Sequence, residues 1–428
     1  MSALLHRKTV LPSGIVLLTE RIPDRHSLAL GVWVRNGARD EPGEMLGISH
    51  FIEHMMFKGT ERRDARAIAA SLESLGGHLD AFTAREEVCY YARALAEHLP
   101  EVADVLADIV CRSQFAPAEV DREKSVVREE ISSIEDNPED KVGEMLAEQV
   151  WSGHALGRPI LGTLDTVGRL DSQRLRDYFR SRYRPEDLMV AAAGAVEHDQ
   201  VAEVIATHFA PPDGPRLPIS GPPAGFVPGV RHETRDGLHQ LYLALGTPGL
   251  GFCDEDRFPL VVLNTLLGGG MSSRLFQSVR EEAALAYSVF SAVEFYRETG
   301  LVSIQLGVAP ERGREALGRV REELEKLAQD GPTEAEVAAS RSQLKGSLVM
   351  GQESVSNRMV HIAHEEIYRG VYTSPEEQLE RVLAVTHEQV VELARRLLRP
   401  GRFALSAIGP AAGERLDERD WPVETGPA

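Results

Sequence analysis

His50-Phe51-Ile52-Glu53-His54 sets two imidazoles four residues apart with a carboxylate between them. The stretch around it, Gly47 to Phe57, predicts a helix. Successive helical residues turn by about 100°, so His50 and His54 point the same way and Glu53 lies beside them. Two imidazoles at this spacing can hold one zinc ion, and the carboxylate is close enough to take a proton from water activated there. The competing reading is an amphipathic helix with a few solvated polar residues. The rest of the chain must therefore supply what a metal centre needs.

A catalytic zinc takes three protein ligands and keeps one position open. Glu119 to Ile131, EVDREKSVVREEI, also predicts a helix. Glu123 and Glu130 are seven apart and share a face, whereas Glu129 is rotated away by about 100°. Glu130 is the candidate third ligand. Glu123 is placed to orient a histidine or the attacking water from behind. A solvated acidic helix face is the competing reading, and for this stretch taken alone it is the favoured one.

Taken together, HFIEH and the last Glu of EKSVVREE, 76 residues after the second histidine, resemble the inverzincin family. In that family the H-E-x-x-H order of other zinc peptidases is reversed. This is the pitrilysin and insulysin group, and the similarity is strongest to bacterial relatives of the mitochondrial processing peptidase β subunit. The resemblance implies one zinc per chain held by His50, His54 and Glu130, with Glu53 as general base and Glu123 assisting. A second motif, SSRLFQSVR at 272–280 followed by Leu285-Ala286-Tyr287, resembles the family's arginine and tyrosine seven residues apart. By that resemblance Arg280 and Tyr287 reach the substrate and the zinc site from the C-terminal half. A guanidinium suits a carbonyl or carboxylate oxygen, and a phenol can stabilise an oxyanion. Outside the resemblance, Arg280 reads as a surface helix residue and Tyr287 as a strand-core residue.

Composition narrows the classes. A chain of 428 residues predicts more than one domain. A formal net charge of −19 argues against nucleic acid. It favours basic peptides if acidic groups line the substrate site. No apolar run reaches membrane-spanning length, so no membrane partner is expected. Cys89, Cys111 and Cys253 are scattered and odd in number, which predicts packing roles and no disulfide framework. The start, MSALLHRKTVLPSG, has neither a long apolar segment nor an Arg- and Ser-rich one, so the expected compartment is the bacterial cytoplasm. GGGMSS lacks the Gly-Lys-Ser/Thr ending of a phosphate loop, so ATP is not implied. His361-Ile-Ala-His364-Glu365 has its glutamate outside the histidine pair and reads as helix surface or a helix contact.

Residues 211–229, PPDGPRLPISGPPAGFVPG, have linker composition. They separate a zinc-binding domain, 1–210, from a degenerate repeat that binds substrate, 230–428. Both halves read as strands, a helix, two strands, helices and a closing strand. FAPAEVDREKSVVREEI aligns with PTEAEVAASRSQLKGSL, which sets Ser347 opposite Glu130. A duplicated unit follows. The expected fold class is α+β, with two homologous α/β domains, each a mostly antiparallel sheet with helices packed on one face, as inverzincins have.

Gly76 to Thr83 predicts an edge strand. In the family such a strand receives the substrate as an added β-strand, so main-chain bonds give affinity. Phe57, Ala81, Phe82 and Thr83 are the candidate contacts, with core packing the competing role for both phenylalanines. His78 reads as a strand surface residue. Asp140 and Glu144 fall where processing peptidases read arginines, although acidic residues also suit a helix start after Pro138. Gly268-Gly269-Gly270 reads as a flexible element or a helix C-cap. The expected activity is a zinc metalloendopeptidase cleaving peptides held between the two domains. The partner expected is a second copy or a related subunit. The rival is a non-catalytic substrate-holding or scaffold subunit, but such relatives typically lose part of the zinc motif and this chain keeps all of it.

Overall fold

The computed structural model describes residues 5–223 and 225–424. The first half of the chain runs β1 (Leu5–Val10), β2 (Val16–Arg21), β3 (Ser27–Val34), α1 (Ile48–Met56), α2 (Ala65–Glu73), β4 (His78–Thr83), β5 (Val88–Leu95), α3 (Leu99–Arg112), α4 (Pro117–Asp136), α5 (Pro138–Val150), α6 (Leu164–Gly168), α7 (Ser172–Arg182), β6 (Leu188–Gly194) and α8 (His198–His208). The second half runs β7 (Val230–Thr234), β8 (Leu241–Gly249), α9 (Arg257–Gly268), a π-helical turn (Phe276–Glu282), β9 (Ala286–Phe295), β10 (Gly300–Val308), α10 (Gly313–Gln329), α11 (Glu334–Gly351), α12 (Val355–His364), α13 (Pro375–Ala384), α14 (His387–Leu397) and β11 (Ala404–Gly409). Among the described residues no helix is long and apolar enough to cross a membrane.

The first sheet has the order β1-β2-β6-β3-β5-β4, and the second β7-β11-β8-β10-β9. Each has one parallel pair, β2 with β6 and β7 with β11, and is otherwise antiparallel. Leaving out β1, the two orders are the same topology repeated. The central strands, SLALGVWV and LMVAAAG, are covered on both faces and read as continuous apolar runs. Leu28, Leu30, Val32 and Val34 of β3 enter the main core with α1 and α3. Ala29 and Trp33 turn to the other face and meet Val355, Met359 and Ile362 of α12.

That second contact changes the domain boundaries. The sheets respect the halves 1–210 and 230–428, but the compact units do not. One unit comprises 1–132, 158–220 and 350–373, and the other 133–157, 221–349 and 374–428. Helix α12 packs on β2, β3 and β6, and α5 packs on β8 and β11. Val142, Met145 and Leu146 of α5 lie with Ala244, Leu301 and Ala404. Since α4 and α11 are counterparts in the repeat, so are the helices that follow them. Each sheet thus takes the cover of its second face from the other half of the chain, in addition to helices on the expected face. A sheet with apolar residues on both faces needs cover on both. Sequence proximity alone does not identify the covering helix.

The linker 211–229 forms no helix or strand in its described residues, but it is tied down. Arg182 donates to the Leu217 and Pro218 carbonyls at 3.1 and 2.9 Å, and the Ser220 amide donates to Asp40 at 2.8 Å.

Polar bonds hold 350–373 in the first unit. Arg358 Nε donates to Glu20 at 2.9 Å, and Tyr372 Oη donates to Glu20 at 2.8 Å. His361 bonds the Thr373 carbonyl and His364 bonds Glu87, each at 2.7 Å, so the HIAHE cluster makes helix contacts. The R358M variant leaves a buried carboxylate without its guanidinium. Urea unfolding should show a loss of about 3 kcal/mol, the scale of a broken buried ion pair, and a loss below about 1 kcal/mol, the scale of an exposed pair, would contradict this.

Candidate metal centre

Helix α1 opens at Gly47 and closes at Phe57. It buries Ile48, Phe51, Ile52, Met55 and Met56 in the first unit's core, which turns His50, Glu53 and His54 to the partly open side. Helix α4 buries Val120, Glu123, Val127 and Ile131, with spacings of three and four that define one face. Glu130 stands at the half-buried margin of that face, and Glu129 is exposed.

Glu130 Oε2 lies 3.4 Å from His54 Nε2 and 3.7 Å from His50 Nε2. Three donor atoms, one from each residue, all fall within 4.8 Å of one another. Tetrahedral zinc with bonds of about 2.0–2.2 Å sets its donors roughly 3.4 Å apart. The same contacts are too long for hydrogen bonds, and Glu130 Oε2 is buried with no hydrogen-bond donor of its own. A buried carboxylate oxygen without a partner is costly, and a cation among these three atoms removes the cost. The residues fit a zinc ion.

Behind this group, Glu123 is buried and bonds His54 Nδ1 at 2.8 Å, while Lys58 Nζ sits 2.9 Å from its other oxygen. That bond leaves His54 Nε2 as the free ligand atom. Burial, then the neighbouring His54, pushes His50 down to about 4, so it is a neutral imidazole with a lone pair to give. Burial also acts to lower His54, but the bond from Glu123 and the charge of Glu130 outweigh it and raise it. For Glu123 burial acts upward, and its bonds to His54 and Lys58 win, holding it ionised. Burial raises the pKa of Glu53, against an opposing bond donated by Thr83 Oγ1.

Strand β4 is the sheet's edge, paired with β5 and lying against α1. Phe57 and Ala81 pack on the main core and Phe82 on the opposite-face cluster, its ring 6.4 Å from that of Tyr91. His78 is exposed on the strand. Thr83 is bonded to Glu53, a link that edge-strand reasoning does not anticipate.

Four expected site residues belong to the second unit. Arg280, on the π-helical turn, stands 4.6 Å from the Phe276 ring and 4.9 Å from the Tyr287 ring. Tyr287 is 81% exposed on the edge strand β9, which overturns the strand-core reading. Asp140 lies in the first turn of α5 and accepts from Asn137 at 2.6 Å, and Glu144 is 3.5 Å from Lys141. In the same unit, Gly269 caps α9, the second of the two readings for the glycine run.

Comparison with known proteins places the chain in a family. Residues 16–164 match the insulinase family, peptidase family M16, and residues 169–344 match the peptidase M16 inactive domain. An uncharacterized zinc protease of Mycobacterium tuberculosis is 40% identical over 425 residues, covering 97% of this chain and 95% of the relative. The chain belongs to the M16 peptidase family. The uncharacterized zinc protease YmxG of Bacillus subtilis is 37% identical over 403 residues, 93% of this chain and 97% of YmxG. The fold matches the crystal structure of a peptidase M16 inactive domain from Pseudomonas fluorescens with a TM-score of 0.89 at 20% identity, over 97% of this chain and 100% of that one. This is an M16 metallopeptidase with zinc as its cofactor.

Three residues escaped sequence reasoning in these roles: Lys58 on Glu123, Thr83 on Glu53, and Glu41, which bonds the amides at the start of α1. Only Lys58 carried a local signal, since it lies one turn beyond His54. Two outcomes check the assignments. Glu123→Gln should weaken zinc binding by about tenfold to a hundredfold in chelator competition, the usual loss for a partner behind a ligand. Thr83→Val removes a bond to a charged group, so kcat should fall roughly tenfold or more while zinc content and KM hold. A raised KM with unchanged kcat would instead make Thr83 a substrate contact.

Proposed function

We propose that this protein is a zinc endopeptidase that hydrolyses peptides or unfolded segments added as a strand along β4. The observation that carries this reading is the position of Glu53. It shares a helical face with His50 and His54, and it bonds Thr83 at the end of an edge strand. Zinc, when bound, supplies the Lewis acidity that activates water and polarises a carbonyl. Glu53 takes the proton of the attacking water and passes it to the leaving amine. Burial moves its pKa upward, the direction that strengthens a carboxylate as a proton acceptor. Glu123 keeps His54 oriented.

Tyr287 stabilises the oxyanion and Arg280 holds a substrate oxygen, roles supported by the family spacing and by the exposure of the phenol. Asp140 and Glu144 give a preference for basic residues near the scissile bond. The protein works in the bacterial cytoplasm, paired with a second copy or a related subunit. The alternative of a substrate-holding subunit is disfavoured, because such a subunit has no need of Glu53 beside a complete ligand set.

The deciding experiment is cleavage of an arginine-containing fluorogenic peptide by wild type and Glu53→Gln, each with measured zinc. Wild type should cleave, and the zinc-loaded variant should be slower by about 10²–10⁴-fold. Equal rates remove Glu53 as the base, and no cleavage by zinc-loaded wild type favours the holding role. Asp140→Asn with Glu144→Gln should weaken cleavage of arginine peptides more than of neutral ones. Equal losses on both would refute the basic preference.

A further inference from the structure

His50 is the third residue of α1, in the turn whose amides have no partner within the helix. Such a turn frays unless it is capped, and a Ser, Asp or Asn at the N-cap normally does this. That solution is closed here. The N-cap is Gly47, at φ 87°, and a Cβ there would stand 2.3 Å from the Leu161 carbonyl oxygen. The cap comes instead from six residues upstream. Glu41 accepts from the Gly47 amide at 2.7 Å with one carboxylate oxygen and from the Ser49 amide at 2.8 Å with the other.

Glu41 is itself held rigidly. Ala38, Arg39, Asp40 and Glu41 are all buried. The Ala38 and Arg39 amides donate to the Ala84 and Arg85 carbonyls at 3.1 and 2.8 Å. The Arg39 side chain pairs with buried Glu86. Arg182 donates to the Asp40 carbonyl at 2.7 Å and Arg158 to the Glu41 carbonyl at 3.2 Å. Burying a carboxylate is expensive, and burial pushes Glu41 up to about 8 even against its donors.

We propose that Glu41 is a positioning residue of the metal centre. It fixes the first turn of α1 and so sets the His50 imidazole against that of His54, one turn further along. The inference rests on the zinc reading of His50, His54 and Glu130.

The test is Glu41→Gln in the full chain, in which one accepting oxygen becomes an amide nitrogen that cannot accept. Zinc affinity is read by chelator competition, ligand geometry by the visible spectrum of the cobalt-substituted protein, and folding by the melting temperature of the metal-free protein. The variant should bind zinc about tenfold or more weakly, the scale for loss of a partner behind a ligand, with an altered cobalt spectrum. A lowered melting temperature with unchanged zinc affinity and cobalt spectrum overturns the proposal. Should Glu41→Gln not fold, Glu41→Asp decides, because it keeps both carboxyl oxygens but withdraws them by one methylene. Unchanged zinc affinity in that variant likewise overturns the role. Failure of wild type to bind zinc would remove the site reading together with this one, whereas zinc-binding wild type with an unaffected variant removes only the role of Glu41.

Discussion

The bond from Glu123 to His54 Nδ1 links the two helices that make the metal centre. It holds α4 to α1 at the height where Glu130 faces both imidazoles. It also fixes which nitrogen of His54 is left to bind a cation. Three further contacts hold those two helices. The apolar face of α1 is sunk in the core, that of α4 packs beside it, and Lys58 holds the second oxygen of Glu123. The three candidate ligands therefore stand on helices packed into the first unit's core.

The two sheets share a topology, yet only one unit carries the ligands. Helix α9 takes the place of α1 in the repeat but buries Leu260, Leu263 and Leu267 and carries no histidine. Ser347 on α11 stands where α4 has Glu130, and it is exposed. Fold was duplicated and chemistry was not, because function lives in the side chains grafted on a scaffold. The second unit has instead the half-buried Arg280 beside the exposed Tyr287 ring.

Much of this was legible in the chain. HFIEH and the spacing of Glu123 and Glu130 give the metal group because helical periodicity converts sequence distance directly into a shared face. Strands β3, β6, β9 and β10 stand out through their long apolar or β-branched runs. Strand β7, VRHET, does not, since a polar, half-exposed edge strand carries no hydrophobic alternation. The exchange of α5 and α12 was also hidden, because an amphipathic pattern says that a face is buried and not against what. Glu41 was hidden for a related reason. Its bonds run to amides six and eight residues away across a loop, where no local capping signature applies.

His50, His54 and Glu130 together should hold one zinc ion. Zinc-edge anomalous diffraction from crystals of the metal-loaded protein tests it most directly. A single strong peak is expected in the first unit, bonded at about 2.0–2.2 Å to Nε2 of both histidines and to the carboxylate of Glu130. A peak elsewhere, or one that leaves any of these three side chains uncoordinated, would contradict it.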